Sequence, residues 1–572
     1  MKRGISTFLA VLFCATILAL YFVVNYYFVD KSNPTKSKDA SISEIGPIII
    51  PHFDAFKDKR REFLSNLSSE YKSEKIVLFS VNHFSVGTAD LLVTDRKWDY
   101  KDLEIKIDDE NVAKVASLDF VAKEENPFIF EHGIKNVLGD LAQYFPDAQI
   151  TPIIVRDDIA EEDLEEIFDQ VYSAVGDSMS VFSIDFSHYC PSSMAQIHDA
   201  YSISALRNLD KSASYKAETD SPQLMNMAVR WAQKTDKKHF NLFYNSNSGE
   251  IADNTEMETT SVVLGYYSNG SQQKDKTSTA IFAGDVMLDR LVYHAYRNRK
   301  LEEVFSKIGN RFFSGANLSM VNLEGPISKT QIDDNIAANN LVFNFPMQTP
   351  LALSYLNINA VSLANNHTNN AGHAGFENTV DVLNKAQISS IGSYDNRKDS
   401  ISRVFDGPTP IALIATHELI GPSEIEEVIE EHSLQGRFVI VFPHWGSEYS
   451  KKHVAAQEEA ARKWQKAGAN LVIGSHPHVV EDFEIIDGTP VVYSLGNFVF
   501  DQNFSRETNE GLIVGAVISE NNIKLSFFPV KISGQTPELM CGQRRAEILE
   551  GLLENVASTQ KVNDDTIIIN RN

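Results

Sequence analysis

The stretch FVIVFPHWGSEYSKKHVAAQEEAARKWQKAGANLVIGSHPH, residues 438–478, decides the reading of the fold. FVIVFP (438–443) is a short apolar run of strand length, and NLVIGS (470–475) is another. Between them, apolar residues at 454, 461 and 464 recur at helical spacing, and Gly468 is a C-terminal stop. Strand, helix, strand is the signature of an α/β layer. Both strands run straight into histidines: His444 after the first, His476 and His478 after the second.

The same pattern extends outward. TAIFAG (279–284) runs into Asp285, NLSMVNLEG carries Asn322 and Glu324, and INAVSLA runs into Asn365, Asn366 and His367. Five strands thus each end in a metal-competent group, and strand ends in an α/β sheet face one crevice. Carboxylate, carboxamide and imidazole together suit two divalent cations sharing a site. Singly, each residue reads more simply as a turn, a cap or a buried histidine; their joint placement favours a metal site. The x-Pro-x spacing of His476 and His478 predicts an extended pair. Strand-like runs KIVLFSV (75–81), QITPIIV (149–155) and SVFSIDF (180–186) give the N-terminal half the same α/β character.

At 572 residues the chain is too long for one core. Its formal charge of -25, from 52 basic and 77 acidic side chains, repels nucleic acid, which is excluded as a partner. Three cysteines, Cys14, Cys190 and Cys541, make no disulfide framework. ISTFLAVLFCATILALYFVVNYYFV (5–29) carries no charge and is long enough to span a bilayer. The expectation is therefore a single-pass cell-membrane protein, anchored by residues 1–30, with the bulk of the chain extracytoplasmic. Polar stretches at 31–45 and 268–279 read as linkers. They set off domains at 46–267 and 280–535, with 536–572 as a C-terminal tail.

GDVMLDR (284–290), VNLEGPIS (321–328), SLANNHTNNAG (362–372), HWGSEY (444–449), GSHPHVVEDFE (474–484) and YSLGNFVFD (493–501) resemble the motif series of the CapA family of poly-γ-glutamate capsule synthesis proteins, relatives of calcineurin-like metallophosphoesterases. The resemblance implies a metallophosphoesterase-like βαβ-sandwich with a dinuclear site for Mn, Zn or Fe. It implies Asp285 and a bridging Glu324 as carboxylate ligands. Asn366, His444 and His476 would serve the second metal, and His478 the first. His367 is similar to the histidine that protonates the leaving group, beside Asn366. Val286 and Met287 follow Asp285 where the wider superfamily has Asp-x-His, so the first metal lacks the imidazole of that motif.

IIIPHFDAF (48–56), FSVNHFSVG (79–87), EHGIKNVLGDLAQYFPDAQITPIIV (131–155) and DFSHYCP (185–191) resemble the MEMO family, AmmeMemoRadiSam system protein B in prokaryotes. Its fold is similar to that of class III extradiol dioxygenases. The resemblance implies one Fe or Cu ion on His52 and His83, with Asp185 and His188 in the pocket. The family's third-ligand cysteine has no counterpart; Glu218 or Asp220 stands near its place. The fold class expected is thus α/β: a transmembrane helix, a MEMO-like α/β domain and a βαβ-sandwich. The function expected is a metal-dependent hydrolase or transferase in cell-envelope polymer biosynthesis, partnered by the polymer or its synthesis machinery. The competing expectation is a non-catalytic, metal-stabilised envelope scaffold.

Overall fold

A computed structural model describes residues 45–100, 103–329 and 341–571. These described residues form one compact unit of mixed α/β structure. In the N-terminal half, strands Ile45–Ile50, Met179–Ser183, Lys75–Val81 and Gln149–Val155 lie side by side and all parallel. Helices cover both faces, which is why these strands are apolar along nearly their whole length and almost fully buried. Parallel strands place their C-terminal ends on one edge. His52, His83 and Asp185 each follow such an end.

The C-terminal half contains two sheets. One has the parallel run Ser278–Val286, Leu318–Leu323, Ala360–Ser362 and Ser389–Ile391, extended by antiparallel strands Glu510–Ile518 and Asn522–Ser533. The other has Ile411–His417, Phe438–His444, Leu471–Ile473 and Thr489–Val492 in parallel. Phe282, Met320, Leu413, Ile440, Phe442 and Phe527 fill the layer between the sheets. Helix Gly372–Lys385 covers one outer face through Phe376 and Leu383. Helix Ala455–Ala467 covers the other through Ala461 and Trp464, and Gly468 caps it in the left-handed region.

Residues 536–570, set apart above as a tail, are part of this half: Thr536–Leu539 and Thr566–Asn570 both pair with Asn522–Ser533. The two halves share a core, with Met194 and Ile197 of the first packed beside Ile281 and Ile513 of the second. The approach is close enough that a Cβ on Gly515 would meet Ile197 Cδ1 at 2.3 Å.

The membrane expectation is corrected. No helix among the described residues is long and apolar enough to cross a membrane. The longest, Ser192–Asn208, has 17 residues and carries Asp199 and Arg207, whereas a span needs about 20 apolar residues. The stretch 5–29 lies outside the described residues. Neither a transmembrane helix nor a single-pass membrane location is therefore supported.

Candidate metal centres

In the C-terminal half the carboxyl ends of both sheets converge. Asp285, Glu324, Asn322, Asn365 and His444 are fully buried, and His476 and His478 nearly so. Gly284 lets the first strand reach this point: a Cβ there would stand 1.9 Å from Gly496 O, and Asp285 N donates to that carbonyl at 3.0 Å. Asp285, Glu324 and His478 offer ligand atoms all within 4.8 Å of one another; Glu448, His476 and His478 form a second such group. Asn366 Oδ1 is 2.9 Å from His444 Nε2, so those two also share one point. Asn322 Nδ2 donates to Asp285 Oδ1 at 2.8 Å, and Asn365 Nδ2 donates to Asn322 Oδ1 at 3.1 Å, a chain of amides that fixes the carboxylates.

Hydrogen-bond roles show which ring atoms face inward. Asn497 Nδ2 donates to Gln502 and Thr508, so its Oδ1 accepts from His478 Nδ1 at 3.0 Å. His478 Nε2 then faces Glu324 Oε1 at 3.6 Å. Asn370 Oδ1 accepts from Phe343 N and from His367 Nδ1, leaving His367 Nε2 3.9 Å from the same Glu324 oxygen. Glu324 Oε1 itself is buried and has no hydrogen-bond partner among the described residues, and neither has His476 Nδ1. Buried acceptors left bare in this way are what a cation satisfies. Burial, with Asp285 and Glu448 adding to it, pushes the Glu324 carboxyl well above its usual range. Burial lowers His444 strongly and His476 to about 4. It also acts downward on His478, but Glu324 and Asp285 outweigh it and raise that ring to about 9.

One feature departs from the sequence reading. His476 and His478 are not extended: their φ values are 101° and 60°, left-handed positions that cost non-glycine residues energy and concentrate at functional sites. Met287 lies in the hydrophobic core, with its sulfur accepting from Asp289 N at 3.2 Å, so it adds nothing to the cluster.

In the N-terminal half, His52 Nε2 lies 3.1 Å from Asp185 Oδ2 and 3.2 Å from Asp220 Oδ2. Ser183 Oγ donates to Gly133 O and so accepts from His52 Nδ1, which leaves a lone pair on His52 Nε2 facing two carboxylate oxygens. Something positive, a proton or a cation, must sit between them. His83 Nε2 is 3.5 Å from Asp220 Oδ2, while its Nδ1 is held by Glu131 at 2.7 Å. Burial holds His52 down to about 3. It opposes charge on His83 too, but Asp220 and Glu131 raise that ring to about 10. Asp185 is raised by burial and by Asp220.

Of the two candidate third ligands, Asp220 joins the cluster and Glu218 does not. Glu218 accepts from His188 N at 3.0 Å and from Arg311 Nη1 at 2.6 Å, an arginine of the other half. Sequence reasoning missed His132, whose ring is 4.0 Å from that of His83 and which groups with His52 and His83. The Glu-His pair opening EHGIKNV was the available signal. Arg311 carried no local signal at all.

Residues 279–502 match the model of the bacterial capsule synthesis protein PGA_cap, and residues 22–263 that of Memo-like proteins. The PGA biosynthesis protein CapA of Bacillus subtilis (strain 168) is 27% identical over 282 residues, covering 46% of this chain and 74% of that protein. The capsule biosynthesis protein CapA of Bacillus anthracis is 25% identical over 46% of this chain and 70% of its own length. A MEMO1 family protein of Caldivirga maquilingensis is 26% identical over 25% of this chain, which spans only 52% of that relative. The Memo-like match begins at residue 22, inside the stretch read above as an anchor. The chain is a fusion of a Memo-like domain with a domain of the bacterial capsule synthesis type.

Proposed function

We propose that the C-terminal domain is a metal-dependent hydrolase or transferase of capsule biosynthesis, acting on an acidic polymer of the poly-γ-glutamate type or on a phosphoester. The capsule role is carried over from the names of the CapA relatives. The observation that supports the chemistry is the buried trio Asp285, Glu324 and His478, with Glu324 Oε1 bare among the described residues.

Asp285, Glu324 and His478 would hold one divalent cation, and Asn366, His444 and His476 the other, with Glu324 shared. Such cations supply Lewis acidity and a reactive water. The remaining work falls to the chain. Asn322 and Asn365 orient the carboxylates, and the buried walls exclude bulk water. His367 Nε2, directed inward because Nδ1 is tied to Asn370, exchanges a proton with the leaving group. Burial lowers its pKa below that of a free imidazole.

One observation favours the second reading, a polymer-binding scaffold: Met287 leaves the Asp285 side short of an imidazole. The two readings separate in one experiment. Purified, metal-loaded chain is incubated with poly-γ-glutamate and with a chromogenic phosphodiester, beside Asp285→Asn and His367→Ala variants. Turnover lost in both variants supports the enzyme. Metal and polymer binding without turnover in the wild type leaves the scaffold.

A further inference from the structure

His417 ends the strand Ile411–His417 in register with His444 on the neighbouring parallel strand. Asn396 grips its backbone from both sides: Oδ1 accepts from His417 N at 2.8 Å, and Nδ2 donates to His417 O at 2.9 Å. The ring is fixed as well. Its Nδ1 lies 3.0 Å from Tyr394 O, and a carbonyl can only accept, so the proton is on Nδ1 and Nε2 carries the lone pair. That Nε2 is buried and has no hydrogen-bond partner among the described residues. The ring centroid is 6.0 Å from that of His444, which is in turn 4.7 Å from that of His476. An imidazole whose N–H is tied to a backbone carbonyl, with its other nitrogen bare, has the arrangement typical of a metal-bound histidine.

We propose that His417 is a further imidazole ligand of the cation held by Asn366, His444 and His476. The inference rests on the metal reading above and extends it to selectivity. With His417, one half of the centre presents three imidazoles and an amide beside the shared Glu324. The other half presents Asp285, Glu324 and a single imidazole, that of His478. Imidazole-rich sites suit zinc and its neighbours, whereas carboxylate-rich sites suit Mn²⁺ and Mg²⁺. The pair is therefore asymmetric: Zn²⁺ or Co²⁺ fills the His417 side first, and Mn²⁺ the Glu324 side.

The test uses the full chain stripped of metal and carrying His52→Ala, which disables the imidazole-rich N-terminal pocket, with His417→Gln beside His444→Ala. Zn²⁺ is titrated by equilibrium dialysis, and Co²⁺ is followed by its visible absorption. The expected result is a loss of about tenfold or more in affinity for the first Zn²⁺ equivalent in His417→Gln, with a changed Co²⁺ spectrum and Mn²⁺ binding kept. Unchanged Zn²⁺ affinity and Co²⁺ spectrum in His417→Gln, with both lost in His444→Ala, overturns the proposal. X-ray absorption of the His52→Ala chain, whose His417 is intact, at one Zn²⁺ equivalent guards against a variant that fails to fold: three imidazoles support the proposal and two overturn it. A His52→Ala chain that binds no metal overturns this inference together with the metal reading. A His52→Ala chain that binds metal through two imidazoles overturns His417 alone.

Discussion

Replacing Arg311 with alanine probes how far the N-terminal pocket depends on the second domain. Arg311 is the cation that reaches Glu218, whose side chain is 2% exposed and whose other oxygen fixes the His188 amide. Removing one partner of a fully buried ion pair costs about 3–5 kcal/mol, because the remaining charge is stranded. Arg311 is 43% exposed, so water enters when it is truncated, and the expected cost falls to about 1–2 kcal/mol. That corresponds to a roughly 5–30-fold change in a local opening equilibrium. Hydrogen exchange of the amides at 186–190 reads it directly. Glu218→Gln keeps the shape without the charge, so the double variant should regain most of the protection. The sign with pH is set. Burial raises the Glu218 pKa even with Arg311 present, and losing Arg311 raises it further. A raised carboxyl costs stability only where it must ionise. The Arg311→Ala deficit is therefore largest near pH 8 and shrinks as pH falls and Glu218 protonates in both proteins. A double variant no better protected than Arg311→Ala, or a deficit that grows in acid, would refute the stranded-charge reasoning.

Further outcomes follow from the same geometry. His198 is buried between Ser187 Oγ, at 2.7 Å, and Phe312 O of the second half, at 3.2 Å, and burial lowers its pKa to about 4. The unfolded chain protonates this histidine below about pH 6.5 and the folded chain does not. Its contribution is therefore whole above 6.5 and is lost, to a limit of roughly 3 kcal/mol, as pH falls toward 4. Urea midpoints between pH 7.5 and 4.5 should drop less in His198→Gln than in the wild type; parallel curves remove His198 from the account. In the N-terminal pocket, Asp220→Asn should abolish Fe(II) binding under anaerobic titration while Glu218→Gln keeps it; the reverse order would mean that the third ligand has been misplaced. His367→Ala should lower turnover by about 10²–10⁴ with metal content near normal, and undiminished turnover would make His367 a loop cap.

Runs such as KIVLFSV and FVIVFP could be placed as strands because parallel strands covered on both faces are apolar throughout, and this chain marks each with an abrupt polar ending. The same feature exposed Asp285, Glu324, His444 and His476, since a strand end and a metal-competent residue coincide in sequence. What escaped depends on long-range geometry. His417 also ends a strand, but only the Tyr394 carbonyl fixes which of its nitrogens is bare. Asp220 and Glu218 are two residues apart, and Arg311, far along the chain, decides which of them turns into the cluster. The φ values of His476 and His478 overrode the extended preference before proline, because the loop between the strand and Val479 must bring the His476 backbone amide and the His478 ring to Asp285. The C-terminal tail looked separable because its strand Thr566–Asn570 finds its partner some forty residues earlier.

The central claim, that the strand ends of the C-terminal half build a cation centre, is met most directly by metal analysis of the purified chain with and without His444→Ala. His444 is fully buried, contacts Asn366 Oδ1 at 2.9 Å and lies outside the N-terminal pocket. The account predicts divalent cations bound in the C-terminal half of the wild type. It predicts at least one equivalent lost in the variant, together with a lower melting temperature in metal that converges with the wild type once both are stripped, because a cation bound only to the folded state stabilises it. Equal metal content and equal metal-dependent stabilisation in the two proteins would contradict it.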